Sequence, residues 1–136
     1  MEGNLNPKKL VSGAESFFSE RIWQNLQQIE KKDIEDCVKC LLIERWTPAG
    51  IMAMRVIESA VRTYYKTLTG KVKTNWYSIL EDIKKNHPDV DKNLIEELDY
   101  IRKHIRNPLA HPELRINQTE AEEAFMHTMK VLTQIY

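Results

Sequence analysis

The chain has few glycines, prolines and cysteines, and it lacks a long apolar run. Its 136 residues include 4 Gly, 5 Pro and 2 Cys, and these low counts exclude collagen-like and low-complexity architectures. No stretch is apolar over the roughly 18 residues that a membrane-spanning helix needs. The first residues do not combine a basic start with an apolar segment, so we expect no secretory signal peptide. We therefore expect a cytoplasmic location and no membrane partner.

An excess of charge of either sign is also lacking, because 20 Lys+Arg face 20 Asp+Glu. A neutral chain does not bind duplex nucleic acid through bulk positive charge, so an anionic ligand must meet a local basic patch. A chain of this length can bury one core and is too short for two ordinary domains. We expect a single domain over residues 15–136, preceded by a frayed N-terminus over residues 1–14.

What the sequence does contain is apolar residues at spacings of three and four, which are typical of amphipathic helices. This periodicity predicts an all-α fold, a bundle of five to six helices. The predicted helices cover about 15–29, a segment starting at an Asp33 N-cap, a long segment from a Thr47 cap to Gly70, then 75–86, a segment starting at an Asp91 N-cap, and a last helix capped by Thr119.

The most informative stretch places Arg106, Asn107 and His111 within six residues at the predicted end of a helix. Arginine can bind a phosphate bidentately, and histidine can exchange a proton near neutral pH. Phosphodiester cleavage needs both abilities. Pro108 disfavours the helical conformation at Asn107, and Pro112 does the same at His111, so we expect both polar residues just outside regular helix.

A simpler interpretation of the same stretch needs no chemistry. Arg106 would complement the dipole at a helix C-terminus, Asn107 would form a local turn, and His111 would be an ordinary loop residue. Arginine, asparagine and histidine are common residues, and they often occur within six positions of one another by chance. The residues alone therefore leave both the catalytic and the structural interpretation open.

The stretch also resembles the Arg-x4-6-His motif of the HEPN superfamily, with a polar residue directly after the arginine. These small α-helical domains occur in toxin–antitoxin, abortive-infection and CRISPR-associated ribonucleases. The upstream stretch MRVIESAVRTYY, with Arg55 and Glu58 a turn apart, is similar to the long helix that precedes the motif in several HEPN groups. The resemblance covers roughly residues 30–136, and its specificity resides in Arg106, Asn107 and His111.

The resemblance implies a metal-independent endoribonuclease that cleaves single-stranded RNA and needs no cofactor. His111 would help to activate the ribose 2′-hydroxyl, Arg106 would stabilise charge on the phosphate, and Asn107 would orient one of them. RNA rather than DNA is the expected substrate because this chemistry consumes the 2′-hydroxyl. The products would be a 2′,3′-cyclic phosphate and a 5′-hydroxyl.

Further expectations follow from the same resemblance. Arg102 and Lys103 would enlarge the phosphate-binding patch, and Arg55 and Glu58 would support the site from the long helix. The motif would face its copy across a two-fold homodimer, since one histidine must otherwise act as base and acid in turn. Glu58 would pair with Arg55 or with the motif arginines.

Two other classes of function stay open. A non-catalytic HEPN-like module would use the same surface to bind RNA, a nucleotide or a protein partner such as an antitoxin. A purely structural dimerisation domain would be insensitive to loss of His111, apart from effects on stability.

Two smaller groups of residues have simpler interpretations. Cys37 and Cys40 form a CxxC, but two further metal ligands at matching spacing are lacking, so we expect them to pack in the core. A cluster of aromatic residues could stack bases, although aromatics at helical spacing are more often core residues. The cluster consists of Tyr64, Tyr65, Trp76 and Tyr77.

Overall fold

The computed structural model describes residues 5–136, and all regular structure within that range is helical. Five helices have ten residues or more, which agrees with the predicted bundle. The helices are α1 (Pro7–Ser12), α2 (Glu20–Asn25), α3 (Gln28–Leu42), α4 (Trp46–Thr69), α5 (Trp76–Asn86), α6 (Lys92–Ile101), α7 (Asn107–Leu109) and α8 (Gln118–Ile135), with a 3-10 turn at Ala14–Phe17 and a π-helical segment at Arg102–Arg106. None of these helices is long and apolar enough to cross a membrane.

Helix α4 is the central element and packs along both α3 and α8. Its buried face is rich in small residues, including Ala49, Gly50, Ala53 and Ala60. Small side chains let neighbouring helix backbones approach closely, and the Thr128 hydroxyl of α8 donates to the Ala53 carbonyl of α4 at 3.3 Å. The fold is therefore built around α4, which contacts α3, α5, α7 and α8.

Several predicted helix ends are confirmed. Gly70 ends α4 in the left-handed region, with φ 74°. Asn75 caps α5 by accepting from the Ser78 N–H, and Asp91 caps α6 by accepting from the Asn93 N–H. These caps depend on residues within one turn of sequence, so a local pattern predicts them.

Other predicted ends are wrong because tertiary contacts use the residues differently. Asp33 lies inside α3, where its buried carboxylate pairs with Arg55, and the α3 capping box is formed by Gln27 and Glu30. Thr119 lies inside α8, whose cap is Asn117. The segment predicted over 15–29 is divided into a 3-10 turn, α2 and the start of α3.

The chain before residue 15 differs from the frayed segment that we expected. Residues 1–4 lie outside the described range, but α1 follows directly and buries Leu10 completely. The Leu5 N–H donates to the buried Glu122 carboxylate of α8 at 3.1 Å. Apolar burial and a hydrogen bond to a buried charge both fix this segment against the bundle.

A second buried carboxylate holds the other end of the chain. Glu30 is fully buried and accepts from the Tyr136 hydroxyl at 3.0 and 3.1 Å. A buried charge needs such hydrogen bonds to offset its lost hydration. A tyrosine hydroxyl is protonated at neutral pH in any case, and burial and the neighbouring Glu30 carboxylate raise the pKa of Tyr136 further.

Docking of the N-terminal segment predicts unequal effects of two adjacent substitutions. Leu10→Ala removes a side chain that is 0% exposed, whereas Val11→Ala alters one that is 77% exposed. We expect Leu10→Ala to lower the free energy of unfolding by about 2–5 kcal/mol and Val11→Ala to change it by less than about 0.5 kcal/mol. Urea denaturation measures both values. Equal, small effects would mean that the segment is frayed.

Candidate functional site

The helix that carries Arg106 continues through Asn107 to Leu109. Asn107 has φ −63° and ψ −46°, which is helical, so the prediction that Pro108 places it outside regular helix is wrong. The Asn107 N–H donates to the Arg102 carbonyl, five residues back, as in a π-helix. In a regular α-helix the Pro108 ring would clash with the carbonyl four residues back. The wider π turn accommodates the proline without ending the helix, and such turns are frequent at functional sites.

Arg106 is fixed at the end of this π segment by Glu58 of α4. Its Nε and Nη2 both approach the same Glu58 oxygen, at 3.1 and 2.9 Å. On the other side of the guanidinium, Nη1 lies 3.4 Å from the Asn107 side-chain oxygen. The arginine is thus oriented by a carboxylate and an amide, while its side chain stays 41% exposed.

His111 lies apart from this cluster. Its N–H donates to the Pro108 carbonyl at 3.1 Å in a turn after α7, so it does lie outside regular helix as predicted. The imidazole is 69% exposed, and the nearest acidic group is Glu113 at 4.0 Å. Across the described chain, no hydrogen bond or ion pair joins His111 to Arg106. The helical backbone continues past Arg106 to Leu109, and His111 lies in the turn that follows it.

Of the remaining predicted site residues, Glu58 and Arg102 lie near Arg106, whereas no hydrogen bond or ion pair within the described chain joins Arg55 or Lys103 to it. Glu58 pairs with Arg106 rather than with Arg55, and Arg55 instead pairs with Asp33 at 3.0 Å. Arg102 lies beside Arg106 in the groove described below. Lys103 is exposed and does not line that groove.

A polar groove of about 350 Å³ opens beside Arg106. It lies between α4, the π segment and the start of α5, and we call it the arginine groove. Three arginines and one glutamate provide its charged groups, which leaves an excess of positive charge. Its lining residues are Glu58, Arg62, Thr74, Asn75, Trp76, Tyr77, Arg102, Arg106 and Asn107.

Five residues that line the arginine groove were not among the site residues predicted from the sequence: Arg62, Thr74, Asn75, Trp76 and Tyr77. Arg62 was visible only as one charge on the polar face of α4. Trp76 is buried, as expected for an aromatic at helical spacing, whereas Tyr77 is 52% exposed. Adjacent aromatics at a helix start point to different faces, which is the sequence feature that distinguishes Tyr77 from Trp76.

The first turns of α4 contact α7 and the loop that follows it. The Thr47 hydroxyl accepts from the Ile116 N–H at 3.0 Å and does not cap its own helix, which differs from the prediction. A Cβ at Gly50 would lie 2.7 Å from Ile116 Cδ1 and 3.2 Å from Leu109 Cδ1. The absence of a side chain at Gly50 therefore allows α7 and the following loop to pack on α4.

The CxxC packs as expected for at least one of its cysteines. Cys37 is buried and its thiol donates to the Ala49 carbonyl at 3.3 Å, while Cys40 is partly buried. Burial, reinforced by Cys40, raises the pKa of the Cys37 thiol, which disfavours the thiolate that binds metals. Residues 5–136 contain no group of three or more His, Cys, Asp or Glu side chains arranged to bind a metal ion.

Comparison of the chain with protein-family models, with curated proteins and with solved structures gives no significant match.

Because Leu109 and Ile116 approach Gly50 closely, we expect a larger side chain at this position to destabilise the fold. Valine recovers only a few tenths of a kcal/mol of helix propensity, whereas overpacking against Leu109 and Ile116 costs about 1–3 kcal/mol. We expect Gly50→Val to lower the free energy of unfolding, as measured by urea denaturation. Thr67→Val, at an exposed position of the same helix, is the control and should change stability by less than about 0.5 kcal/mol. A Gly50→Val protein as stable as this control would contradict the packing described.

Proposed function

We propose that the chain is a metal-independent endoribonuclease of the HEPN type, acting on single-stranded RNA as a cytoplasmic toxin or defence component. The observation that supports this most is the orientation of Arg106. Glu58 and Asn107 hold its guanidinium at the edge of a groove with excess positive charge. A pre-oriented, partly exposed guanidinium is suited to bind a phosphodiester and to stabilise the charge that develops on it during cleavage.

The proposed reaction assigns one step to each motif residue. His111 accepts the proton of the ribose 2′-hydroxyl, whose oxygen then attacks the adjacent phosphorus. Arg106 stabilises the negative charge on the phosphoryl oxygens. The bond to the 5′-oxygen breaks, and that oxygen takes the proton that His111 had accepted. The products are a 2′,3′-cyclic phosphate and a 5′-hydroxyl.

The reaction requires Arg106 and His111 at one phosphate, and we propose that a second copy of the chain brings them together. Within one chain, Arg106 lies on the helix and His111 lies in the turn after α7, and no hydrogen bond or ion pair joins them among the described residues. A two-fold dimer can place His111 of one copy opposite Arg106 of the other. Exposed apolar residues lie near Arg55 and Glu58 of α4. Ile29 and Ile51 lie in shallow grooves that also contain Arg55 and Glu58. Burying them would favour such a dimer.

A second candidate is a non-catalytic module that binds RNA, a nucleotide or a protein partner. The separation of His111 from the arginine groove favours this candidate, because binding needs only the arginines. The two candidates differ in whether His111 contributes to any measurable activity.

The ribonuclease proposal predicts RNA cleavage in EDTA that depends on His111. Purified protein is incubated with mixed-sequence single-stranded RNA and with the matching DNA, and product ends are identified by mass spectrometry. We expect cyclic-phosphate ends, no DNA cleavage, and a rate for His111→Ala lowered by roughly 100-fold or more, since acid–base catalysis contributes about 10²–10⁴-fold.

The matched control is His104→Ala, which removes an exposed histidine outside the arginine groove and should leave the rate unchanged. If the folded dimer cleaves none of several RNAs but binds them, the ribonuclease proposal is wrong and the binding module is the better account. Equal rates for His111→Ala and the wild type would also reject the role given to His111.

A further inference from the structure

The unusual feature of the arginine groove is Arg102, a cation that is mostly buried and weakly paired. Its side chain is 13% exposed, and its Nη2 lies 3.6 Å from Asp99, which is beyond hydrogen-bond distance. Asp99 is itself in closer contact with Lys84. The Nε of Arg102 has no hydrogen-bond partner among the described residues. Buried charges are normally paired and hydrogen-bonded, whereas this guanidinium has one distant contact to Asp99 and an Nε without an acceptor in the described part of the chain.

Trp76, which also lines the groove, carries a second buried donor without a partner in the described chain. Trp76 is 4% exposed, and its indole Nε1 has no acceptor within residues 5–136. Trp76 begins the 11-residue helix α5, and the N–H groups of its first turn lack intrahelical acceptors. Only the Ser78 N–H is capped by the Asn75 side chain. The groove therefore joins a helix N-terminus, which favours anions, to buried cationic and polar donors.

The same groove contains an aromatic surface beside the charge. The Arg102 guanidinium lies 4.9 Å from the centroid of the Tyr77 ring, in a cation–π contact, and the ring is 52% exposed. Arg62 also lines the groove, where its Nε donates to the Thr74 carbonyl at 3.0 Å and leaves the Nη groups for a ligand. An exposed aromatic ring next to a cationic pocket is the arrangement that binds a base and its phosphate.

We propose that the arginine groove is a subsite for one nucleotide of a single-stranded RNA, next to the phosphate bound by Arg106. Arg62 and Arg102 bind the neighbouring phosphate, and its base stacks on Tyr77. A volume of about 350 Å³ suits one nucleotide unit rather than a duplex. The identity of the ligand as RNA rests on the proposed function, whereas the preference for a phosphate beside a base follows from the groove.

The subsite is tested by binding of a fluorescein-labelled RNA decamer in a His111→Ala background, which separates binding from cleavage. Arg62→Gln should weaken binding and reduce the slope of log K against log salt by about 0.7, the value for one phosphate contact to a single strand. Tyr77→Leu should weaken binding roughly 5- to 100-fold with little change in slope, as expected for loss of one stacked base. Anisotropy titrations at several salt concentrations measure both effects.

Two control variants match these substitutions in charge and in exposure. Lys66→Gln removes a positive charge one turn along α4 from Arg62, outside the groove. Tyr100→Leu removes an aromatic side chain that is also 52% exposed but lies elsewhere. Both controls should bind RNA like the parent protein. The subsite proposal is overturned if Arg62→Gln and Tyr77→Leu bind like their controls, or if the parent protein binds no RNA.

Two further measurements separate this proposal from its alternatives. A nucleoside monophosphate that binds while the decamer does not would show a site for free nucleotide and reject the strand assignment. Cleavage by the wild-type protein is measured in parallel. If the wild-type protein does not cleave RNA but Arg62→Gln and Tyr77→Leu weaken binding as expected, the ribonuclease proposal is rejected and the subsite is supported. If the wild-type protein cleaves RNA but these two variants bind RNA as tightly as the parent protein, only the subsite is rejected.

Discussion

The site depends on the wide helical turn formed by Arg102–Arg106. Pro108 has no N–H and would collide with the preceding turn of an α-helix, yet the chain remains helical to Leu109 because the Asn107 N–H reaches five residues back. The π turn changes the rotation of every later side chain relative to α6. As a result, Arg102, Arg106 and Asn107 all line one groove beside α4. A helix that ended before Pro108 would remove the element that brings these three side chains together.

Helix α4 forms the surface against which the motif helix packs, through a missing side chain at one position and a charged side chain at another. Gly50 leaves room for Leu109 and Ile116, and Glu58 meets Arg106 two turns further along. Glu58 compensates the charge of Arg106, while Arg102 is left with only a distant contact to Asp99. The electrostatic difference between these two arginines separates their proposed roles, because Arg106 is held in position whereas the Nε of Arg102 has no acceptor among residues 5–136.

The sequence predicted those parts of the fold that depend on neighbouring residues. Helical periodicity, the helix ends at Gly70 and Asp91, and the helix over 75–86 were predicted correctly because each depends on residues within about one turn. Asp33 and Thr47 were predicted as caps and instead bond to distant partners, which no local pattern specifies. For the site, the sequence singled out Arg102, Arg106, Asn107 and Glu58, which the structure brings together. It did not predict the π turn, nor that Arg62 and Tyr77 share their groove, because both depend on how α4, α5 and the motif helix pack.

The central claim is that Arg106 of one chain acts with His111 of another. The most direct test is a heterodimer of an Arg106→Ala protomer and a His111→Ala protomer, co-expressed with two different tags and purified through both. If the pair acts across the dimer, each heterodimer retains one intact Arg–His pair and should recover up to about half of the wild-type cleavage rate, since a two-fold dimer has two equivalent sites. A heterodimer as inactive as the two parent homodimers, beside an active wild type, would contradict the account.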